Sequence, residues 1–575
     1  MIRVKNQLFN LIASNLALVF VAIFTGLIVS CVAQIFMYSG KKVFELLRSD
    51  VPYDFLNFAL LGQQYNYIPL IIGIIAALLI GLLIKYQKID RFHGPADTIY
   101  AAHQIDGQLD VKKGFLSTLT SLISIGGGAS VGIYGPLVHF GGTFAAFMRR
   151  QKFIPKIPHD IIIGSGVAAA ISAAFGAPLA GILFAHEVII RHFSKKGVAA
   201  IALSSVSANF LAVELGIVTY PLRFEENSFQ LINSIPGLIV IGIFSAIVAL
   251  FFMKSLLYSG TLSSKINIPA HYKPLVPGIL CGLFGIFLPI VIGLGSSGIM
   301  SFITLENSLF FLLIILIIKI MLTSSCIGFG LFGGIFSPAL FIGAATGALI
   351  YNIPFLGNDL SLLSIFAVSG MAAVSSSVIG APITAIILVL ELTGSYNYSI
   401  VAMLPIGICN LITYLSFGSS FFDAQLKNRK ILIDEGREYI LLSQTKVFNY
   451  IDQNYSVLSK DVTTDNAIKI LQKNNTTEGY FVDDDKNYLG KINLINLINS
   501  KSKSKNVYLL KEKKHIILSP NESILETIEK LSNFVGESIP IVDSNNNKML
   551  GIISENDILD AYIKLSNQIK DIEKK

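Results

Sequence analysis

At 575 residues the chain has room for about four soluble domains of ordinary size, but with 53% hydrophobic residues, 14% charged residues and a mean hydropathy of +0.65 it lies outside the soluble range, where about a quarter of residues are charged. The same numbers exclude a disordered or collagen-like chain, and a net charge of +7 gives no footprint for nucleic acid. Of the Asp, Glu, Lys and Arg residues, 41 lie within residues 1–430 and 40 within residues 431–575, the pattern of a membrane body followed by a soluble tail.

Apolar runs of spanning length are predicted at 8–36, 67–86, 198–216, 232–256, 274–294, 307–328 and 396–417, against about 20 residues per crossing. The first is too long for a signal-peptide core and reads as a retained span. Arg3 and Lys5 ahead of it favour a cytoplasmic N-terminus, although Lys41, Lys42 and Arg48 after it are equally basic. The tail has no secretory features and places the C-terminus in the cytoplasm, as in a plasma or inner membrane protein. Cys31, Cys281, Cys326 and Cys409 sit in apolar segments without disulfide or zinc spacing and read as core filler; no metal site is expected.

Four further stretches, 114–148, 159–190, 329–352 and 362–392, are apolar yet cut by Gly, Pro and Ser. A broken helix in lipid leaves backbone groups unpaired unless it is buried in protein or lines an aqueous path. These stretches also repeat. Gly132-Ile133-Tyr134-Gly135-Pro136 with Gly141 matches Gly334-Ile335-Phe336-Ser337-Pro338 with Gly343, an offset of 202; Gly166, Gly176-Ala177-Pro178 and Glu187 match Gly370, Gly380-Ala381-Pro382 and Glu391, an offset of 204. The membrane body is therefore predicted as two repeats, about 67–216 and 270–417, and transporters of this build place their site where the repeats meet.

Three helix starts stand out: Gly94-Pro95, the 132–136 motif and the 334–338 motif. Pro in a first helical turn sacrifices no hydrogen bond, and unpaired N–H groups at such a start carry partial positive charge. They suit an anion. No Lys or Arg lies within the two repeated motifs, so dipoles and hydroxyls would hold the ion weakly enough for it to leave again. Nothing in this pattern calls for enzymatic chemistry.

On these motifs residues 1–430 resemble the chloride channel and transporter (CLC) family. Gly132-Ile133-Tyr134-Gly135-Pro136 stands where the family carries Gly-Arg/Lys-Glu-Gly-Pro, Gly334-Ile335-Phe336-Ser337-Pro338 is its Gly-x-Phe-x-Pro signature, and Gly176-Ala177-Pro178-Leu179-Ala180-Gly181 running into Glu187 is similar as well. The resemblance implies an all-α polytopic fold of two inverted halves, a homodimer in the lipid bilayer, and an anion path in each subunit, with chloride and other small anions as the transported ions and no cofactor required.

Departures from the family pattern bear on mechanism. Its gating glutamate falls on Tyr134, a phenol that stays neutral at physiological pH, and the glutamate that passes protons in its exchangers falls on Val188. A one-residue shift would give that role to Glu187, but its repeat-mate Glu391 marks the position as structural. The expectation is passive anion flux uncoupled from protons, the rivals being an antiporter with substitute carriers and a nucleotide-sensing regulator whose membrane body is an anchor. The family's central tyrosine aligns with Phe422, which removes a hydroxyl donor and weakens inner binding. Its Gly-Ser-Gly-Ile-Pro loop falls on Phe92-His93-Gly94-Pro95-Ala96, the serine position being His93 or Phe92 depending on which flanking residue is aligned. Tyr134 has two readings: a plug or donor on the path, or a ring filling space beside Phe336. His139 and His186 read as satisfied core histidines, and Gly293–Gly298 as a turn.

Residues 431–575 alternate β-rich and helical runs twice. Phe481-Val482-Asp483 with Leu489-Gly490-Lys491-Ile492 repeats as Ile541-Val542-Asp543 with Leu550-Gly551-Ile552-Ile553, each after a helical run at 464–473 or 521–533. This small α/β tail resembles a tandem pair of cystathionine-β-synthase (CBS) domains, about 445–500 and 512–568. The resemblance implies that Ser554 and Asp557 could contact an adenine nucleotide in the second copy, where the first copy has Asn493 and Asn496 instead; the default reading is packing and dimer stabilisation. The run Lys501–Lys505 reads as a solvated loop.

Overall fold

Glycine and proline decide where the helices of the membrane body stop. The computed structural model describes residues 2–48, 57–60, 63–104, 108–151, 157–193, 195–216, 231–354, 356, 360–433, 435–499, 507–512, 515–531, 534, 536–543 and 546–573. The Lys501–Lys505 run lies outside them. Two units separate, Met1–Lys430 and Ile431–Lys575.

The first half of unit 1 runs α1 (Ile2–Arg48), a hairpin of β1 (Asn57–Leu60) and β2 (Gln63–Asn66), α2 (Ile68–Gln87), α3 (Pro95–His103), α4 (Val111–Gly126), α5 (Tyr134–Arg149), α6 (His159–Phe175), α7 (Pro178–Phe184) and α8 (Lys195–Glu214). A π-helical segment, Ala185–Ile190, continues α7. The second half runs α9 (Leu231–Lys265), α10 (Leu275–Phe287), α11 (Ser296–Thr304), α12 (Leu309–Phe329), α13 (Phe336–Tyr351), α14 (Leu360–Ile379), α15 (Pro382–Thr393), α16 (Tyr396–Phe417) and α17 (Phe421–Lys427).

Among the described residues seven helices are long and apolar enough to cross a membrane. Six answer to predicted runs. The exception is 274–294: Pro289, Gly293 and Gly295 end α10 after 13 residues, and the chain turns through Pro289–Val291 into α11. The seventh is α14, which the interrupted stretch 362–392 yields in full before Gly380 turns the chain at φ +78°. Of the four cysteines, Cys281, Cys326 and Cys409 are core filler as expected, whereas Cys31 is exposed on α1.

The repeat is visible in the backbone. The N–H of Gly132 donates to the carbonyl of Gly334, and that of Gly334 to the carbonyl of Gly132, both at 2.6 Å in an antiparallel bridge. A mutual bond between equivalent residues is what a local two-fold produces. The same symmetry governs two helix crossings: a Cβ on Gly141 would stand 2.2 Å from the Gly166 carbonyl, and one on Gly343 2.3 Å from the Gly370 carbonyl. Only glycine lets α5 touch α6, and α13 touch α14, this closely. Every residue of α6 is buried, including the polar His159, Asp160, Ser165 and Ser172 among its apolar ones.

The tail contains α18 (Gly436–Gln444), β3 (Ser456–Leu458), α19 (Thr464–Lys473), β4 (Glu478–Val482), β5 (Tyr488–Asn493), α20 (Leu494–Ile498), α21 (Ile524–Leu531), β6 (Ser538–Val542), β7 (Met549–Ser554) and α22 (Glu555–Glu573). The hairpins β4–β5 and β6–β7 correspond in register, Phe481 facing Gly490 and Ile541 facing Gly551, with an irregularity just after each pair. Gly490 and Gly551 share φ near +155°, at +153° and +157°. One apolar core gathers Leu458, Leu471, Phe481 and Ile492, another Leu518, Ile539, Ile541 and Ile553. Between the copies the buried Lys491 ammonium lies 2.6 Å from Glu478 and donates to the Ser538 carbonyl at 2.7 Å.

Candidate permeation site

The two signature loops meet at the start of α5 and α13, and two cavities are lined by residues of this region. The larger, about 70 Å³, is walled by Phe92, Gly94, Pro95, Tyr134, Gly135, Gly334, Ile335, Phe336 and Phe422, among others. The smaller, about 30 Å³, is walled by Tyr134, Phe175, Leu294, Ile299, Ser337, Leu340, Met371 and Leu392. Tyr134 is common to both. Its ring stacks on Phe175, with centroids 3.8 Å apart and planes 15° apart, and meets the edge of Phe336 at 5.6 Å; Phe175 and Phe336 are 5.2 Å apart. Three aromatic rings therefore pack together where the two cavity linings share a residue, and Tyr134 fills space beside Phe336 while lining both cavities.

Helices α5 and α13 present amides to this region. Their ladders begin at Leu137, which donates to Ile133, and Ala339, which donates to Ile335. The amides before those positions lie outside the helical ladder. The hydroxyl of Ser337 is buried, accepts and donates no hydrogen bond, and belongs to the wall of the smaller cavity. Gly132, Ile133 and Pro136 are not among the residues that line either cavity; they belong to the bridge and the start of α5.

Two expectations change at α3. His93 is absent from the cavity wall, where Phe92 stands instead; its amide donates to Ser117 at 2.9 Å and its ring lies 5.9 Å from that of His139. The start of α3 is also less open to an anion than its Gly-Pro sequence implies, because the Asp97 carboxylate accepts the Gly94 amide at 2.9 Å. Asp97 in turn receives Arg91 at 2.5 Å and Arg429 at 2.9 Å. Arg429 and Gln425, from the far end of the unit, join the wall of the larger cavity. Sequence reasoning missed this cluster, since Asp97 and Arg429 are 332 residues apart and no local pattern links them.

The two repeat-matched glutamates have structural partners. Both oxygens of Glu187 cap α15, accepting from the amides of Ile383 at 2.9 Å and Thr384 at 2.8 Å, and from the Thr384 hydroxyl at 2.7 Å. Glu391 returns the favour at α7, accepting from Leu179 at 2.9 Å and Ala180 at 2.8 Å. Val188 is buried beside Glu187. His139 bonds Thr98 at 2.9 Å and His186 the His192 carbonyl at 2.8 Å. Gly293 and Gly295 form a turn at positive φ as expected, but the turn ends there, because Ser296, Ser297 and Gly298 already begin α11.

Residues 75–414 match the family model described as voltage gated chloride channel, and residues 510–564 match that of the CBS domain. The chain belongs to the voltage-gated chloride channel family. Among curated relatives, the voltage-gated ClC-type chloride channel ClcB of Escherichia coli strain SMS-3-5 / SECEC is 30% identical over 329 residues, 55% of this chain and 76% of that one; ClcB of strain O9:H4 HS has the same identity and coverage. Solved structures share the fold: a slow cyanobacterial Cl⁻/H⁺ antiporter (19% identity, TM-score 0.61, 72% of this chain and 98% of that one), a CLC-type fluoride/proton antiporter (20%, 0.58, 71% and 97%) and a eukaryotic CLC transporter (17%, 0.62, 94% and 98%). Membership makes this a multi-pass membrane protein of anion transport, as the repeated motifs led one to expect.

In the tail, Ser554 and Asp557 serve each other. The Ser554 amide and hydroxyl donate to Asp557 at 2.9 and 2.6 Å, and the Asp557 amide donates to the Ser554 hydroxyl at 3.1 Å. This is a helix cap for α22. In the first copy Asn493 caps α20 by accepting from the Ile495 amide at 2.7 Å.

Proposed function

We propose that the protein is a homodimeric, chloride-selective channel or uniporter of a plasma or inner membrane, with both termini cytoplasmic and anion flux uncoupled from protons. The observation that carries this reading is that Tyr134 lines both cavities. The one position common to both cavities holds a neutral phenol ring, which neither occupies an anion site as a carboxylate would nor delivers a proton at neutral pH. Around it, Val188 has no proton to give, Glu187 has both oxygens engaged as a cap, and the one carboxylate in either cavity wall, Asp97, is held by two arginines. Anion preference follows from the amides at α5 and α13, the Ser337 hydroxyl and the Arg429 guanidinium, all donors or positive. Phe422 in the wall supplies no hydroxyl, which favours weak binding and ready release.

The test is the reversal potential of the purified protein in planar bilayers or liposomes under a pH gradient at fixed chloride. Uncoupled flux leaves it at the chloride potential. The second reading, an anion/proton antiporter, is favoured by the two antiporters among the fold neighbours and requires the potential to move with pH; protein that releases no chloride from loaded liposomes would leave the regulator reading. For the tail we propose packing and dimer stabilisation rather than nucleotide capture, because Ser554 and Asp557 already satisfy one another. Titration with ATP then gives no heat and no change in flux.

A further inference from the structure

Lys319, in the middle of α12, is fully buried. Its ammonium donates to the carbonyls of Val291 at 2.9 Å and Gly293 at 3.2 Å and lies 5.0 Å from the centroid of the Phe341 ring. Among the described residues no carboxylate pairs with it, and the titratable neighbours are the thiols of Cys281 and Cys326, 3.4 Å from each other. Carbonyl dipoles and a ring face offset only part of the cost of burying an ammonium. A charge inside a membrane body without a protein counter-charge marks a functional position whose partner has to be found.

The geometry of the smaller cavity points to that partner. The carbonyls that Lys319 holds belong to the segment whose next residue, Leu294, forms the cavity wall. The segment is pinned from the other side by the Ser130 hydroxyl, which donates to the same Val291 carbonyl at 3.0 Å, and by the Gly293 amide, which donates to Gly128 at 3.3 Å. A Cβ on Gly295 would stand 3.4 Å from the ammonium nitrogen. The ammonium is thus bonded to the residue that directly precedes the wall residue Leu294. The cavity wall contains no acidic residue, and Ser337 adds a buried hydroxyl with no partner. A positive charge bonded to the neighbour of one wall residue and an unused donor on another favour an anion between them.

We propose that Lys319 is the counter-charge of a halide resting in the smaller cavity, and that it acts as a positioning residue through the Leu294 segment rather than by direct contact. This rests on the anion-permeation reading. The test is chloride efflux from liposomes at graded chloride, with Lys319→Gln, neutral but still able to donate to Val291, and Lys319→Arg, which keeps the charge. Lys319→Gln should raise the half-saturating chloride about tenfold, as expected for a unit charge removed in a poorly screened interior, and show a smaller chloride-dependent rise in melting temperature than the wild type. Lys319→Arg should stay within about threefold of wild type. An unchanged half-saturating chloride in Lys319→Gln overturns the inference while flux in the wild type upholds the parent reading; a wild type without flux overturns the parent. Should Lys319→Gln fail to fold, bromide-soaked wild-type crystals decide: an anomalous peak in the smaller cavity supports the role, and peaks confined to other places overturn it.

Discussion

The membrane body and the tail each join two copies of a unit, and they do so by different chemistry. In the membrane body the exchange is like for like: Glu187 of one half caps α15 of the other, and Glu391 caps α7 in return. In the tail it is unlike for unlike. Glu478 and Lys491 of the first copy form a buried ion pair, and Glu478 also accepts from the Ser538 amide at 2.9 Å and hydroxyl at 2.7 Å. The registers place Ser538 where the first copy has Glu478, and Ile552 where it has Lys491. An equal exchange divides the loss from any one substitution between two braces. An unequal one concentrates it in a single pair.

The largest effect is therefore expected in the tail. Lys491→Met leaves Glu478 buried without its counter-charge, which typically costs about 3–5 kcal/mol; amide hydrogen exchange across residues 431–575 of the full chain should show protection lost through that unit. Acid probes the same pair. Burial opposes ionisation of Glu478, but the hydrogen bond and charge of Lys491 and the Ser538 donors outweigh it and hold the carboxyl below its ordinary range. A lowered folded-state value means that the contribution is complete above the unfolded value, near 4.3, and drains away as pH falls through the folded one. Protection of the tail should accordingly decline below about pH 4, and Glu478→Gln should flatten that decline.

In the membrane body, Glu187→Ala and Glu391→Ala each remove two amide contacts to a charged group, at about 1.5–3 kcal/mol for each bond on the measured scale. The losses in thermal stability should be similar to one another, with Glu187→Ala somewhat greater because the Thr384 hydroxyl also loses its acceptor. A large loss in one and none in the other would break the two-fold account. Flux should remain insensitive to pH in Glu187→Gln if this carboxylate is a brace and not a proton carrier.

The braces also show what a sequence makes legible. The constant spacing from Gly166 to Glu187 and from Gly370 to Glu391 exists because a two-fold demands the same geometry twice, so the halves, the broken helices and the structural glutamates were all readable. The CBS-like hairpins were readable for the same reason, through Gly490 and Gly551. Arrangements that occur once left no such trace. Asp97 meets Arg429 only after the chain has closed on itself, Lys319 is a single cation in an apolar run, and Phe92 rather than His93 reaches the cavity because α3 is anchored through Ser117 and Asp97. The missing span at 274–294 reflects a contest between apolar length and turn residues, which Pro289, Gly293 and Gly295 win.

Tyr134 and Phe336 occupy equivalent places, yet only Tyr134 stacks face to face on Phe175. Tyr134→Ala removes the ring that both cavities share and should raise chloride flux about tenfold, a change of roughly 1.4 kcal/mol in the barrier. Tyr134→Phe keeps the stack and should leave flux within about twofold if obstruction is what the ring contributes. Unchanged flux in Tyr134→Ala would reduce the ring to filler.

The smallest effect is expected at the caps of the tail, where the two copies can be set directly against each other. Ser554 bonds reciprocally with Asp557, whereas Asn493 makes a single capping bond to Ile495. Loss of a serine cap costs about 1 kcal/mol, so Ser554→Ala should loosen the first turn of α22, seen as faster exchange at the amides following Ser554. Asparagine caps about as well as serine, and the first copy already uses it, so Ser554→Asn should restore protection. If both variants instead weaken ATP binding while leaving exchange unchanged, Ser554 serves a nucleotide and not its own helix, and the tail has a second function that the membrane body does not share.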